Sequence, residues 1–294
     1  MATTSRVATT PSLRETTPSR LTTALMGIYT LWYRDLLRFA RDRTRIIGSF
    51  AQPILFLFIF GSGLSSSMGQ LGGAGAPGTG FSYVQFIFPG IIAMAVLFTA
   101  IFSGVSVIWD REFGFLKEVL VAPIPRWSMA LGKALGGSTT AMIQGILMLI
   151  FAPFVHVSLT AGGVLALLPL VFITAFSLSS LGLLIASRLK SMEGFQLIMN
   201  FLMLPLFFLS GALFPLTNLP GWLTVLSRID PVAYGADAIR RVTLNTSALP
   251  TAAANQLGLS VFGHAMTPWT DVAVVLAFGA VMLVFAVRGF NAQE

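Results

Sequence analysis

The sequence predicts an all-α membrane protein with six spanning helices, and three observations carry that reading. First, 55% of its 294 residues are hydrophobic and only 10% charged, with a mean hydropathy of +0.83. A soluble domain is about one quarter charged, so lipid is the fitting solvent for much of this surface. Second, six stretches are long and apolar, at 46–64, 86–109, 134–155, 162–187, 195–214 and 272–287, and none contains Asp, Glu, Lys or Arg. A bilayer core takes about 20 residues of helix, and a helix satisfies its own backbone groups. Third, most of the basic residues fall on one side of these stretches.

In chain order, residues 1–20 are rich in Thr, Ser, Pro and Arg and read as a disordered cytoplasmic tail. Residues 21–45 predict an amphipathic helix: Leu21, Leu25, Ile28, Trp32, Leu36 and Phe39 recur at helical spacing, with Arg34, Arg38, Arg41 and Arg45 on another face. Such a helix lies along the cytoplasmic membrane surface, Trp32 between apolar and basic positions; a cytosolic helix docked on a partner is the alternative. The first outer loop, 65–85, is dominated by Gly and Ser. The sixth stretch is short, and Trp269 and Arg288 flank it as interface anchors.

Orientation follows from Lys and Arg. Residues 1–45 hold eight, the second-to-third connection four, the fourth-to-fifth two (Arg188, Lys190), and Arg288 ends the last stretch, against three on the opposite side: Arg228, Arg240 and Arg241. Fifteen against three places both termini in the cytoplasm. The net charge of +7 is thus a topology signal facing anionic lipid headgroups, and no nucleic-acid partner is expected.

Several chemistries are excluded. Without cysteine there is no disulfide, thiolate metal site or cysteine nucleophile. His156 and His264 have no partners at ligand spacing, so no metal site is expected. Gly132-Lys133 is followed by Ala134 and makes no phosphate-binding loop. The chain is therefore not expected to be an ATPase or other enzyme, or to need a cofactor. The apolar stretches also lack the carboxylates that mark proton or sodium coupling.

The connection Ile108–Lys133, IWDREFGFLKEVLVAPIPRWSMALGK, sets charges around Phe113, Phe115 and Leu116. Two readings fit: a docking surface, with apolar anchors and rim charges, or an amphipathic loop helix resting on headgroups. The segment resembles the cytoplasmic signature of the ABC type-2 permease family. The matching residues are Asp110-Arg111-Glu112-Phe113-Gly114, Val119-Leu120-Val121, Pro123, Pro125-Arg126 and Gly132-Lys133; Lys117 departs from the acidic residue common there. The resemblance implies a coupling segment at 110–127 that enters a separate ATPase subunit through Arg111, Glu112, Phe113, Gly114, Phe115 and Leu116.

A second stretch, Leu209–Arg240, is similar to the family's fifth-helix exit and outer re-entrant helices, here expected over 214–245. Pro215 and Pro220 break the helix and Asp230-Pro231 turns the chain. Pro215, Pro220, Trp222, Pro231 and Tyr234 are the outer-gate candidates, with a surface hairpin as the alternative.

The resemblance implies a small exporter permease, similar to the daunorubicin-resistance type, that pairs with a second permease copy and two ATPase subunits in the cytoplasmic membrane. Its substrate would be hydrophobic or amphipathic: a drug, a lipid or a glycan-lipid. Pathway candidates are Gln52, Phe56, Phe60, Asn200, Met203 and Phe207, each of which packing or interhelical hydrogen bonding would also explain. A secondary carrier or channel would need ionisable groups at a midplane site; a membrane-embedded enzyme would need clustered Asp, Glu or His.

Overall fold

The computed structural model describes residues 19–71, 82–114, 124–189, 191–216, 219–245, 260–261 and 264–291. Phe115 and Leu116, and the Gly-rich run 72–81, lie outside the described residues. The helices are α1 (Arg20–Arg41), α2 (Arg43–Leu71), α3 (Tyr83–Phe102), α4 (Val105–Glu112), α5 (Arg126–Met148), α6 (Ala161–Arg188), α7 (Met192–Leu209), α8 (Gly221–Ile229), α9 (Pro231–Asn245) and α10 (Pro268–Asn291). A 3₁₀ segment, Leu149–Val155, continues α5. The strand pairing among the described residues is one antiparallel ladder of two residues a side, Ser260–Val261 with His264–Ala265. Five helical units are long and apolar enough to cross a membrane, six if α1 and Ile46–Gly61 of α2, bent by 72°, count as one broken span.

α3 is the core of the bundle. Every residue from Phe86 to Leu97 is buried, as expected of a helix apolar on all faces. Ser82 caps it reciprocally with Gln85, each side chain meeting the other's backbone N–H. α2, α5, α6 and α9 pack around α3, and α10 packs along α6 and α9. α7 and α10 turn apolar residues outward, including Leu197, Phe201, Trp269 and Val284. That outward apolar surface is what contact with lipid requires.

One element differs from expectation and another carries an added feature. The first helix ends at Arg41 rather than residue 45: Asp42 leaves helical geometry (φ −90°, ψ 78°) while its N–H still reaches the Arg38 and Phe39 carbonyls. Arg45 therefore belongs to α2. The second apolar stretch is one span, Tyr83–Glu112, in which a turn at Ser103-Gly104 separates α3 from α4. The break is a crossing of small residues: a Cβ on Gly104 would lie 2.5 Å from the Gly182 carbonyl, and one on Gly182 would lie 2.3 Å from the Ile101 carbonyl. Only glycine lets α6 approach the α3–α4 backbone this closely. Ser103 Oγ and Ser179 Oγ, 2.9 Å apart, hydrogen bond across the same crossing.

Candidate functional site

The apolar stretches carry no charge, yet the helices built on them hold buried charge at both ends. At the end where α1 lies, α1 packs along α5, with Trp32 Nε1–H donating to Thr139 Oγ1 (3.0 Å). This face of α1 meets protein and not only headgroups. It also brings Asp35, the one carboxylate within α1, to Lys133 of α5 and Asp110 of α4. Lys133 Nζ lies 2.6 Å from Asp110 Oδ2, 3.2 Å from Asp35 Oδ1 and 3.1 Å from Ser106 Oγ. An ammonium has three hydrogens, and here three acceptors. Arg34 donates to Asp110 and lies 3.3 Å from Asp35 Oδ1, and Arg38 is 3.6 Å from Asp110 Oδ1. Three cations thus surround two carboxylates, with Asp110 and Lys133 only 3% and 5% exposed. Burying unpaired charge is costly, so this mutual pairing is what lets these groups sit inside the bundle.

The ion cluster stands directly before the expected docking residues. Arg111 donates to the Leu189 carbonyl, tying α4 to the end of α6. Glu112 and Phe113 are exposed, Phe113 at 83%, and Gly114 adopts φ 77°, with nothing within 4 Å of a Cβ placed there. Arg126 donates to the Phe290 carbonyl (2.7 Å), fastening α5 to the end of α10. Of the basic face on the first helix, Arg34 and Arg38 join the cluster, while Arg41 is exposed beside it.

The pathway candidates separate into two groups. Phe56 stacks on Phe60 (5.2 Å between centroids) and meets Phe207 edge-on (5.6 Å), while Met203 and Phe207 are almost wholly buried. Phe56 of α2 and Phe207 of α7 therefore meet ring to ring at this level. Gln52 and Asn200 are exposed. Below the stack, one turn earlier on α2, a cleft of about 400 Å³ opens between α2, the α3–α4 joint and the start of α7.

At the opposite end, α8 presents Trp222 outward, Pro220 is exposed, and Pro231 and Tyr234 are buried. Pro215 is half-buried in the turn after α7. α9 is inserted among α3, α6 and α10. Its Arg240 is buried, donating to the Gly211 carbonyl with its guanidinium 4.4 Å from the centre of the Phe86 ring. Asp237 accepts from Arg241 Nε (2.9 Å). Tyr83 Oη donates to the Leu213 carbonyl (2.7 Å), and Tyr234 Oη to the Arg228 carbonyl (2.7 Å). Burial pushes the Asp230 carboxyl up to about 8, against the pull of the Val232 N–H that it accepts. Arg240, expected on an outer loop, is thus internal: its guanidinium ties α9 to the turn that follows α7.

Comparison with known proteins adds to this geometry. The family model described as ABC-2 type transporter matches residues 26–244, from α1 through α9. The chain belongs to the ABC-2 type transporter family. Among its relatives, the inner membrane transport permease YadH of Escherichia coli K12 is 31% identical over 232 residues, 76% of this chain and 86% of that protein. The putative transport permease ycf38 of Cyanophora paradoxa is 28% identical over 218 residues (74% of this chain, 73% of that one). Nodulation protein J of Rhizobium meliloti is 26% identical over 219 residues (74% and 80%). The chain is a multi-pass transport permease of the ABC-2 type.

Sequence reasoning missed Asp35 and Lys133 as a pair and the internal place of Arg240. Asp35 did leave a trace, as the one carboxylate among the arginines of α1.

Proposed function

We propose that this permease is the membrane subunit of an ATP-driven exporter in the cytoplasmic membrane, with both termini inside. It pairs with a second permease copy and two separate ATPase subunits, and moves a hydrophobic or amphipathic substrate outward. The observation that carries the reading is the position of Glu112–Gly114. This exposed turn follows the Asp110–Lys133–Asp35 cluster without a break, so a force applied to it reaches α1 and α5 through buried ion pairs. Such a cluster is a stiff connection, because separating its members would leave charge unpaired in a low-dielectric interior. Arg111, bonded to Leu189, carries the same force to α6. Phe115 and Leu116 continue the docking segment. α1 lies on the membrane surface with Arg41 toward headgroups, and α8 and α9, with Pro215, Pro220, Trp222, Pro231 and Tyr234, close the outer end.

In this arrangement the Phe56–Phe60–Phe207 stack seals the route toward the outside while the cleft below it faces inward. ATP-driven movement of the docking turn would part α2 from α7 and release substrate outward. The test is flux in proteoliposomes containing the permease with and without its ATPase. Flux should require both the ATPase and ATP. Glu112→Ala and Gly114→Trp should lower coupled flux with membrane insertion unchanged; normal flux in both variants removes the docking role. Gradient-driven flux through the permease alone would make it a secondary carrier.

A further inference from the structure

We infer that the groove between the end of α6, the start of α7 and the end of α10 holds one phospholipid of net negative charge, its acyl chain along the groove and its phosphate against Arg188 and Arg288. The inference does not rest on the exporter reading or on the nature of the cargo. The groove measures about 410 Å³ and is lined by Leu184, Ile185 and Leu189 of the α6 end, Ile198 of α7, Phe285 of α10, and Arg188. It lies at the end of the bundle that carries α1 and the ion cluster. There Arg111 of α4 donates to the Leu189 carbonyl, and Arg126 of α5 to the Phe290 carbonyl.

Gly289 brings the two arginines together. α6 and α10 meet so closely here that a Cβ on Gly289 would lie 2.3 Å from Ser187 Oγ and 3.3 Å from Arg188 Nε. Arg188 thus reaches the last turn of α10, against the residue that follows Arg288. The Arg288 guanidinium lies 5.9 Å from the centre of the Phe285 ring, so it stands over a wall of the groove. Both arginines are exposed. Among the described residues neither has a carboxylate partner, and no carboxylate lines the groove.

The occupant follows from charge and from solvent. Two neighbouring cations repel each other, and a guanidinium fork matches the oxygens of a phosphate. Each arginine also ends a helix, where the dipole favours a cation; that accounts for a basic residue at each end, but not for an apolar groove beginning beside both. Ile198 and Phe285 are exposed apolar walls on spanning helices, where the contacting solvent is acyl chain. A basic pocket between spanning helices selects a net negative headgroup. A zwitterionic lipid would set its own cation against the two arginines.

The experiment uses the full-length permease alone in phosphatidylcholine nanodiscs. Each preparation carries a small fraction of one of two photoactivatable lipids, phosphatidylglycerol or phosphatidylcholine, with the same diazirine-bearing acyl chain. Labelled residues are mapped by peptide mass spectrometry. The phosphatidylglycerol probe should label Leu184–Leu189, Ile198 and Phe285 at least about fivefold more than the phosphatidylcholine probe. Both should label Leu204 and Val274, exposed further along α7 and α10, equally. Arg188→Gln with Arg288→Gln should bring the groove to parity, with the unfolding midpoint in phosphatidylcholine unchanged. Arg41→Gln, which removes an exposed arginine outside the groove, should leave the preference intact. Ile198→Trp, which fills the groove from an exposed position, should lower groove labelling by both probes and spare Val274. Excess glycerol phosphate should not displace the lipid. Parity at the groove in the parent protein is ordinary membrane contact and overturns the inference. So does a preference that survives the double arginine variant, or one that Arg41→Gln abolishes equally, since net charge alone would then explain it. An unlabelled groove shows that protein covers it, and displacement by glycerol phosphate makes the ligand a soluble phosphate ester; either result also overturns the inference.

Discussion

Replacing Lys133 with methionine tests the buried ion cluster directly. Methionine has similar length and fits an apolar helix, so the change removes charge and hydrogen bonds with little loss of volume. The variant strips three contacts at once: Asp110 at 2.6 Å, Asp35 at 3.2 Å and Ser106 at 3.1 Å. Removing one member of a buried ion pair typically costs about 3–5 kcal/mol, mostly because the other charge stays buried and unpaired. Here Asp110 keeps Arg34 and Arg38 and Asp35 keeps Arg34, so the expected loss is at the low end, about 3 kcal/mol. The companion Asp35→Leu and the double variant complete a cycle, and contact between the two side chains requires a coupling of about 0.5–3 kcal/mol. Unfolding by SDS titration from mixed micelles, followed by tryptophan fluorescence, gives the free energies. A loss below about 1 kcal/mol for Lys133→Met, or additivity of the two single variants, would refute the claim that these groups are paired in a low-dielectric interior.

Other predictions concern the rest of the bundle. Gly90→Val places a Cβ about where the Ala212 backbone now stands, 2.3 Å from its oxygen; it should destabilise by more than the about 1–3 kcal/mol of ordinary overpacking. Gly48→Ala, with nothing within 4 Å, should be neutral or slightly stabilising in the same assay. A carboxyl whose folded value is raised holds its proton after the unfolded chain has released it, so Asp230 favours the fold at low pH and that contribution fades as pH rises through about 8. The thermal midpoint should therefore fall between about pH 5 and about pH 9, and Asp230→Asn should flatten the profile; an unchanged slope contradicts the burial of that carboxyl.

The spanning helices were legible because lipid contact demands apolar residues along an entire helix, and that demand leaves a continuous trace in sequence. The close crossing at Ser103-Gly104 was not, since Gly104 and Gly182 are 78 positions apart and meet only once α6 crosses α3. Charge was legible as a count and misleading as a location. Arg240 lies in the expected outer re-entrant segment; its environment is set by the Gly211 carbonyl and the Phe86 ring, neither of which is local in sequence. The pathway candidates suffered the same limit. Phenylalanine on a membrane helix serves equally as lining or packing, and the sequence does not reveal that Phe207 is buried against Phe56.

The joint at Ser103-Gly104 connects the two functional ends. Toward the outer end, α3 is held by Gly90 against Ala212, by Phe86 beneath Arg240 and by Tyr83 to Leu213. Such dense contact allows little independent movement. Beyond the joint, α4 is short and carries Asp110 and the exposed turn at Glu112–Phe113. The joint itself is pinned on α6 by backbone-to-backbone contact, with no side chains between to compress. On the exporter reading, a push on the turn is therefore carried along α4 to this glycine contact. The cleft wall passes across this same point, from Phe98 and Phe102 on α3 to Trp109 on α4. On the same reading, that push reaches the cleft wall at Trp109 and, through the ion cluster, α1.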